Sequence, residues 1–404
     1  MKRSQSGARC ASVLLLMAAL VLPAAAQVGG WSPTGNMTQA RYMHTATLLT
    51  SGIYAGQVMI AGGTVPLGFS STASVEVYNP ATGAYSPIAS MRTARYYHTA
   101  TLLQDGKVLI AGGALNGALG SIADAELFDP ATGTFLPAAP MNVARFVHTA
   151  TLLPNGTVLV TGGIQVPNTI ASAELYVPPV LAGNATGTWL PLGNMHAARQ
   201  SHSASLLPDG TVLIAGGSDA QGRPLSSAEI YDPDRGFVVT GSLHYARAFH
   251  TGNATATGAV IIGGWNSSTS SDVAPAEVYT INPLSNNSVG ANELAVGPKP
   301  GAFTVVGSLN YPREEHTATT LPSGDVLVTG GGSKTVPAIV QAEVWSVRTR
   351  TFTTVGSMAV PRLLHTATLL PNGKVLAAGG FTYINDPNRG ITNRSELYGT
   401  TPGN

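Results

Sequence analysis

Met141-Asn-Val-Ala-Arg145-Phe-Val-His148-Thr-Ala-Thr-Leu-Leu-Pro-Asn155-Gly156-Thr-Val-Leu-Val-Thr-Gly162-Gly163 is one copy of a unit that recurs along the 404-residue chain. Its Arg-x-x-His element returns at Arg41/His44, Arg95/His98, Arg145/His148, Arg199/His202, Arg247/His250, Arg313/His316 and Arg362/His365. A Gly-Gly pair follows each, beginning at Gly62, Gly112, Gly162, Gly216, Gly263, Gly330 and Gly379. A Glu-x-aromatic element then follows, at Glu76, Glu126, Glu174, Glu229, Glu277, Glu343 and Glu396. Successive histidines lie 54, 50, 54, 48, 66 and 49 residues apart. Self-similarity at a period near fifty is the signature of a repeat architecture.

Each unit reads as four short strands. Asn155-Gly156 supplies a turn after the first, and Val158 to Thr161 is a β-branched run stopped by two glycines. Asp129-Pro130-Ala131-Thr132-Gly133 is a second turn, between the strand of Glu126 and that of Phe135. No stretch after the first residues keeps a helical period. Units of four strands repeated seven times are best housed as blades around an axis, and the Thr-Ala-Thr pattern after each histidine gives the innermost strand the small side chains a narrowing wedge needs. The expected fold is therefore an all-β, seven-bladed propeller. Its fourth-strand aromatics are Trp31, Tyr85, Phe135, Trp189, Phe237, Phe303 and Phe352. The first precedes every histidine, and the last unit ends without one. The segment around Trp31 is thus expected to complete the final blade and close the seam that an open ring would expose.

Composition agrees. The chain is 44% hydrophobic and only 10% charged, with 47 glycines, 27 prolines and a formal charge of +1. That excludes a disordered chain and gives no basic excess to hold a nucleic-acid backbone. Blades that bury both faces against neighbours account for the shortage of charge.

Lys2, Arg3 and Arg9 precede an apolar run from Ala11 to Leu22, then Pro23 and Ala24-Ala25-Ala26. Positive, apolar, small is the order of a secretory signal peptide, expected over 1–26, with a propeller domain over 27–404. The run is too short to span a bilayer, so a secreted or periplasmic protein without a membrane span is expected. Cleavage would take the balance from 21 basic and 20 acidic side chains to 18 and 20, and would remove Cys10, the one cysteine.

Arg-x-x-His, Gly-Gly, then an aromatic, a turn and Trp or Phe resembles the kelch repeat, over essentially all of 27–404. The pattern is similar to secreted bacterial kelch proteins and to the central domain of galactose oxidase, which implies a seven-bladed kelch β-propeller. The resemblance to galactose oxidase also implies a copper centre of two histidines and two tyrosines, one cross-linked to a cysteine. A mature chain without cysteine cannot form that centre, and no cofactor is expected.

Features present once per unit are first of all architectural: the arginines, histidines and glutamates are expected to tie strands or blades together. The functional alternative is that Arg41, Arg95, Arg145, Arg199, Arg247, Arg313 and Arg362 ring one mouth of the propeller and meet an acidic or sugar ligand. His196 and His244, outside the repeat, each lie three residues before an arginine and are the weak candidates for a metal; no ligand-spaced motif accompanies them. In the variable loops after each Gly-Gly, Phe69, Trp265, Phe381 and Tyr383 offer rings for stacking on a sugar or peptide. Glu314-Glu315 looks like a carboxylate pair, but in a strand the two point to opposite faces. No catalytic motif is found. The expected function is a monomeric, non-catalytic binder of a carbohydrate or protein; the alternative is an enzyme acting on sugars or cell-wall material at the mouth.

Overall fold

A computed structural model describes residues 29–66, 70–116, 120–281, 301–383 and 390–400. The expected signal peptide, 1–26, and Phe69 lie outside the described residues. Seven four-stranded antiparallel sheets form the blades of a propeller. Blade 1 comprises Thr45–Leu48, Val58–Ala61, Val75–Asn79 and Ala84–Pro87, from the axis outward, and blades 2 to 6 repeat it. Blade 7 takes its inner three strands, Thr366–Leu369, Val375–Ala378 and Ser395–Thr400, from the end of the chain and its outermost, Gly29–Pro33, from the beginning. Trp31 pairs with Tyr398 in that closing sheet. The seam is closed as the aromatic spacing predicts.

The second strand of every blade is buried along its whole length. Alternation sends its residues to opposite neighbours: Val58 and Ile60 pack against blade 7, Met59 and Ala61 against blade 2. That is why the run is apolar throughout rather than alternating. On the third and fourth strands, six blades set two aromatics directly opposite each other with ring centroids 5.0–5.4 Å apart and planes tilted, a favourable arrangement.

Gly-Gly marks the junction between blades. The second glycine's N–H donates to the backbone carbonyl of the next blade's arginine, 2.8–2.9 Å at all seven junctions, including Gly380 to Arg41 across the closure. Both glycines need left-handed backbone, +64° and +98° at Gly62 and Gly63. A Cβ on Gly62 would lie 2.6 Å from the carbonyl of Arg95 and 2.7 Å from the ring of His98. Only glycine fits there.

Candidate functional site

The arginines, histidines and glutamates of the repeat form a buried lattice. Every arginine is fully buried and bonds its glutamate at 2.8–3.0 Å, and the glutamates are at most 3% exposed. In blade 3, Glu174 Oε1 accepts from the Arg145 guanidinium and the Val143 N–H, while Oε2 accepts from both the backbone and side-chain nitrogens of Asn142. Arg145 donates also to the carbonyls of Gly162 and Ser172, so it clamps the end of the second strand to the third. Desolvation lowers the arginine pKa values, to about 10 at Arg247 and Arg313, which leaves them protonated at neutral pH. The expectation of arginines ringing a mouth is therefore corrected. Arg41, Arg95, Arg145, Arg199, Arg247, Arg313 and Arg362 present no guanidinium to solvent, because each is consumed by its own blade's glutamate and carbonyls.

The histidines join blades. Each Nε2 lies 3.0–3.1 Å from the hydroxyl that opens the preceding blade's inner strand, Thr45 for His98, Ser203 for His250 and Thr366 for His44. The Thr-Ala-Thr pattern thus supplies a hydrogen bond as well as small volume. Burial holds the imidazoles neutral, pushing His44, His148 and His250 down to about 3, with nearby arginines adding to the effect.

His196 and His244 take the place of Asn142. Their Nδ1 atoms lie 2.8 and 2.9 Å from Oε2 of Glu229 and Glu277, and their backbone N–H groups donate to the same oxygens. Each serves its own blade's carboxylate, which accounts for these two weak metal candidates as caps of Glu229 and Glu277. No group of three or more His, Cys, Asp or Glu able to hold a metal occurs among the described residues.

Between each buried arginine and histidine stand two residues that vary from blade to blade, and these build the mouth. The second of them, Met43, Tyr97, Val147, Ser201, Phe249, Glu315 or Leu364, has left-handed backbone at every position, φ 51–56°. At six of the seven junctions its N–H donates to the carbonyl of its counterpart in the preceding blade, at 3.1–3.2 Å. A belt of such bonds through consecutive blades encircles the axis. The first, Tyr42, Tyr96, Phe146, Gln200, Ala248, Glu314 or Leu363, makes an antiparallel bridge with the residue after Gly-Gly: Thr64, Ala114, Ile164, Ser218, Trp265, Gly332 or Phe381. Left-handed backbone in non-glycine residues costs of the order of 1–2 kcal/mol each and persists only where the surroundings enforce it, here the belt and the buried histidine that follows.

The mouth carries two groups of aromatic side chains. Tyr42 stacks near Phe381 with centroids 5.6 Å apart, and Phe381 meets Tyr383 edge-on at 4.6 Å. Tyr96, Tyr97 and Phe146 form a second group. Tyr383 is 61% and Phe249 37% exposed, while Trp265 is half-buried beside Ala248. The mouth also holds two half-buried acids, Glu314 and Glu315. Burial, then Glu315 and Asp272, push the Glu314 carboxyl up to about 7. Burial likewise raises Glu315. Tyr97 is raised by burial and, to a lesser extent, by the charge of Glu315.

Of the sequence-predicted site residues, Trp265 and Tyr383 come to this face. The acids were dismissed on strand alternation, but Glu315 is not strand backbone: its φ of 53° breaks the alternation. The signal that finds them is their place in the repeat, where acids replace the apolar, aromatic or neutral polar residues of the other six blades.

The kelch motif model matches residues 201–236, which run from within one Arg-x-x-His through its Gly-Gly and Glu-x-aromatic to the start of the fourth strand. The chain is a kelch-repeat β-propeller. No curated protein matches it in sequence. Among solved structures it is similar to a fungal alcohol oxidase of the AA5 family in complex with copper, with a TM-score of 0.69 at 16% identity, over 92% of this chain and 76% of that one. The likeness is one of fold. Copper does not fit the propeller's mouth: its polar side chains are two carboxylates, phenols, the Gln200 amide and the Ser201 hydroxyl, and the repeat histidines are buried with Nε2 bonded to neighbouring hydroxyls.

Proposed function

We propose that this kelch propeller is an exported carbohydrate-binding protein that takes its ligand at the axial mouth. The observation that carries the reading is the belt of unrepeated residues, in which exposed or half-exposed rings stand beside two acids free of any hydrogen bond to the described residues. Aromatic faces stack on the apolar faces of sugar rings, and carboxylates accept from hydroxyls; a few convergent polar groups on an apolar lining is the usual form of a ligand site. The rigid lattice beneath holds these residues in place, which limits the ordering cost of binding. The segment 1–26 supports export. No helix among the described residues is long and apolar enough to cross a membrane.

The test is a glycan array probed with the purified protein. Binding to sugars that Tyr383→Ala and Trp265→Ala each weaken at least tenfold, with unfolding midpoints unchanged, is the expected result; binding that survives both substitutions moves the site elsewhere.

One observation favours a second reading, an enzyme acting on sugars. A carboxyl that titrates near neutral pH beside a second acid has the form of a general acid at its working pH. Release of new reducing ends from a bound glycan, lost in Glu314→Gln, distinguishes that enzyme from the binder.

A further inference from the structure

The rings at the mouth are grouped, and the groups follow one another around it. Tyr42, Phe381 and Tyr383 join across the junction of blades 7 and 1, at centroid separations of 5.6 and 4.6 Å. Tyr96, Tyr97 and Phe146 join across the junction of blades 2 and 3, at 5.7 and 6.5 Å. These two platforms are successive along the belt: the Met43 N–H donates to the Leu364 carbonyl, that of Tyr97 to Met43 and that of Val147 to Tyr97, at 3.1–3.2 Å. Blade 4 then contributes the neutral polar side chains of Gln200 and Ser201. Blade 5 adds two further rings, Phe249 and, bridged to its neighbour Ala248, Trp265. All eight rings are at least partly exposed. Stacking surface therefore recurs in steps on an arc, with a hydrogen-bonding stretch before the last step.

Neighbours on the belt lie about 5.5 Å apart, so a closed belt of seven is about 12 Å across. A single sugar covers one platform of such a ring. A chain of sugars reaches the next one, and because its units are tethered, each further platform is engaged at high effective concentration and multiplies the affinity. Shape narrows the chain. An α-1,4-linked glucan turns at every linkage and can follow an arc, whereas a β-1,4-linked glucan runs straight and leaves the arc after one platform. Glucose units of either chain carry C–H groups on their ring faces, which rest against aromatic faces.

We infer that the mouth takes a curved, α-linked glucan chain laid around the belt, stacked on the Tyr383 platform and the Tyr96 platform and reaching Trp265 past Gln200 and Ser201. This rests on the carbohydrate reading above and narrows it from sugars in general to a neutral, bending chain of several units.

Isothermal titration of the purified protein with maltose, maltohexaose and cellohexaose tests it. Maltohexaose binds at least tenfold more tightly than maltose and than cellohexaose. Tyr383→Ala and Tyr96→Leu each remove a ring from a different platform, the second while keeping apolar bulk at a half-buried position. Each weakens maltohexaose at least tenfold and leaves maltose, which rests on one platform at a time, within twofold. Maltose binding as tightly as maltohexaose, cellohexaose matching maltohexaose, or a maltohexaose affinity that both substitutions leave unchanged in folded protein overturns the inference and leaves the carbohydrate reading standing. Absence of binding by all three sugars overturns it too, and a blank glycan array beside that result overturns both.

Discussion

Arg313 and Glu314 are neighbours in the chain and opposites in the fold. Arg313 belongs to a set of seven, is fully buried and finds a carboxylate and three carbonyls waiting for it. Glu314 stands where the other six blades have Tyr, Phe, Gln, Ala or Leu, is half-buried and has no partner among the described residues. The same contrast holds throughout Arg-x-x-His: the outer residues build the lattice, and the inner two build the mouth. A side chain that recurs in every blade answers a need of every blade. Glu314, which departs from the repeat at a mouth position, answers none of them.

The widest test of that contrast is acid. The seven lattice histidines have folded-state pKa values lowered from 6.5, to about 3 where a value is resolved, so their contribution to stability is complete above pH 6.5 and is lost as pH falls from there toward 3. Once the unfolded chain is protonated at a site and the folded one is not, each imidazole withdraws about 1.4 kcal/mol per pH unit. Glu314 and Glu315, raised instead, oppose this with at most two protons. An ordinary stability of about 5–15 kcal/mol therefore disappears within two or three units. Unfolding by acid above pH 4 with uptake of more than four protons is expected from circular dichroism and potentiometric titration; a protein still folded at pH 3 would show that the histidines are not the buried, neutral links described.

Within the lattice, Arg145→Ala leaves Glu174 buried without its cation and lowers stability by about 3–5 kcal/mol, read by urea denaturation. A loss under 1 kcal/mol would move the arginines out of the architectural class. The mildest case is His196. Asn does the same capping in blades 3 and 6, so His196→Asn leaves stability within about 0.5 kcal/mol, whereas His196→Ala costs about 1 kcal/mol through loss of the hydrogen bond to Glu229. Zinc-dependent stabilisation of the wild type, absent in His196→Asn, would restore the metal reading.

How much of this was legible in the sequence follows from the same contrast. Blade number, strand order and closure through Trp31 were readable because each blade states them again. The structural weight of Arg, His and Glu was readable too, but not their partners: that His98 reaches back to Thr45 in the preceding blade, or that Glu174 collects two backbone N–H groups about thirty residues earlier, depends on contacts between segments far apart in the chain. The mouth was hidden for a different reason. Arg-x-x-His looks like the start of a strand, so Glu314 and Glu315 were assigned to opposite faces, and no residue type announces the left-handed turn at the second x. Met, Tyr, Val, Ser, Phe, Glu and Leu all adopt it, enforced by the belt rather than by local preference.

The most direct measurement is urea denaturation of Arg313→Gln and Glu314→Gln side by side at neutral to mildly alkaline pH. Arg313→Gln is predicted to lose about 3 kcal/mol or more, because Glu343 is left as an unpaired buried charge. Glu314→Gln is predicted to gain about 1–2 kcal/mol after allowance for solvent screening, and the gain is predicted to vanish near pH 4. The sign follows from a folded-state pKa raised from 4.5 to about 7: the carboxyl costs nothing below 4.5 and destabilises progressively as pH rises toward 7. Opposite signs from adjacent residues support the division of the loop into lattice and mouth. Equal losses from both would contradict it.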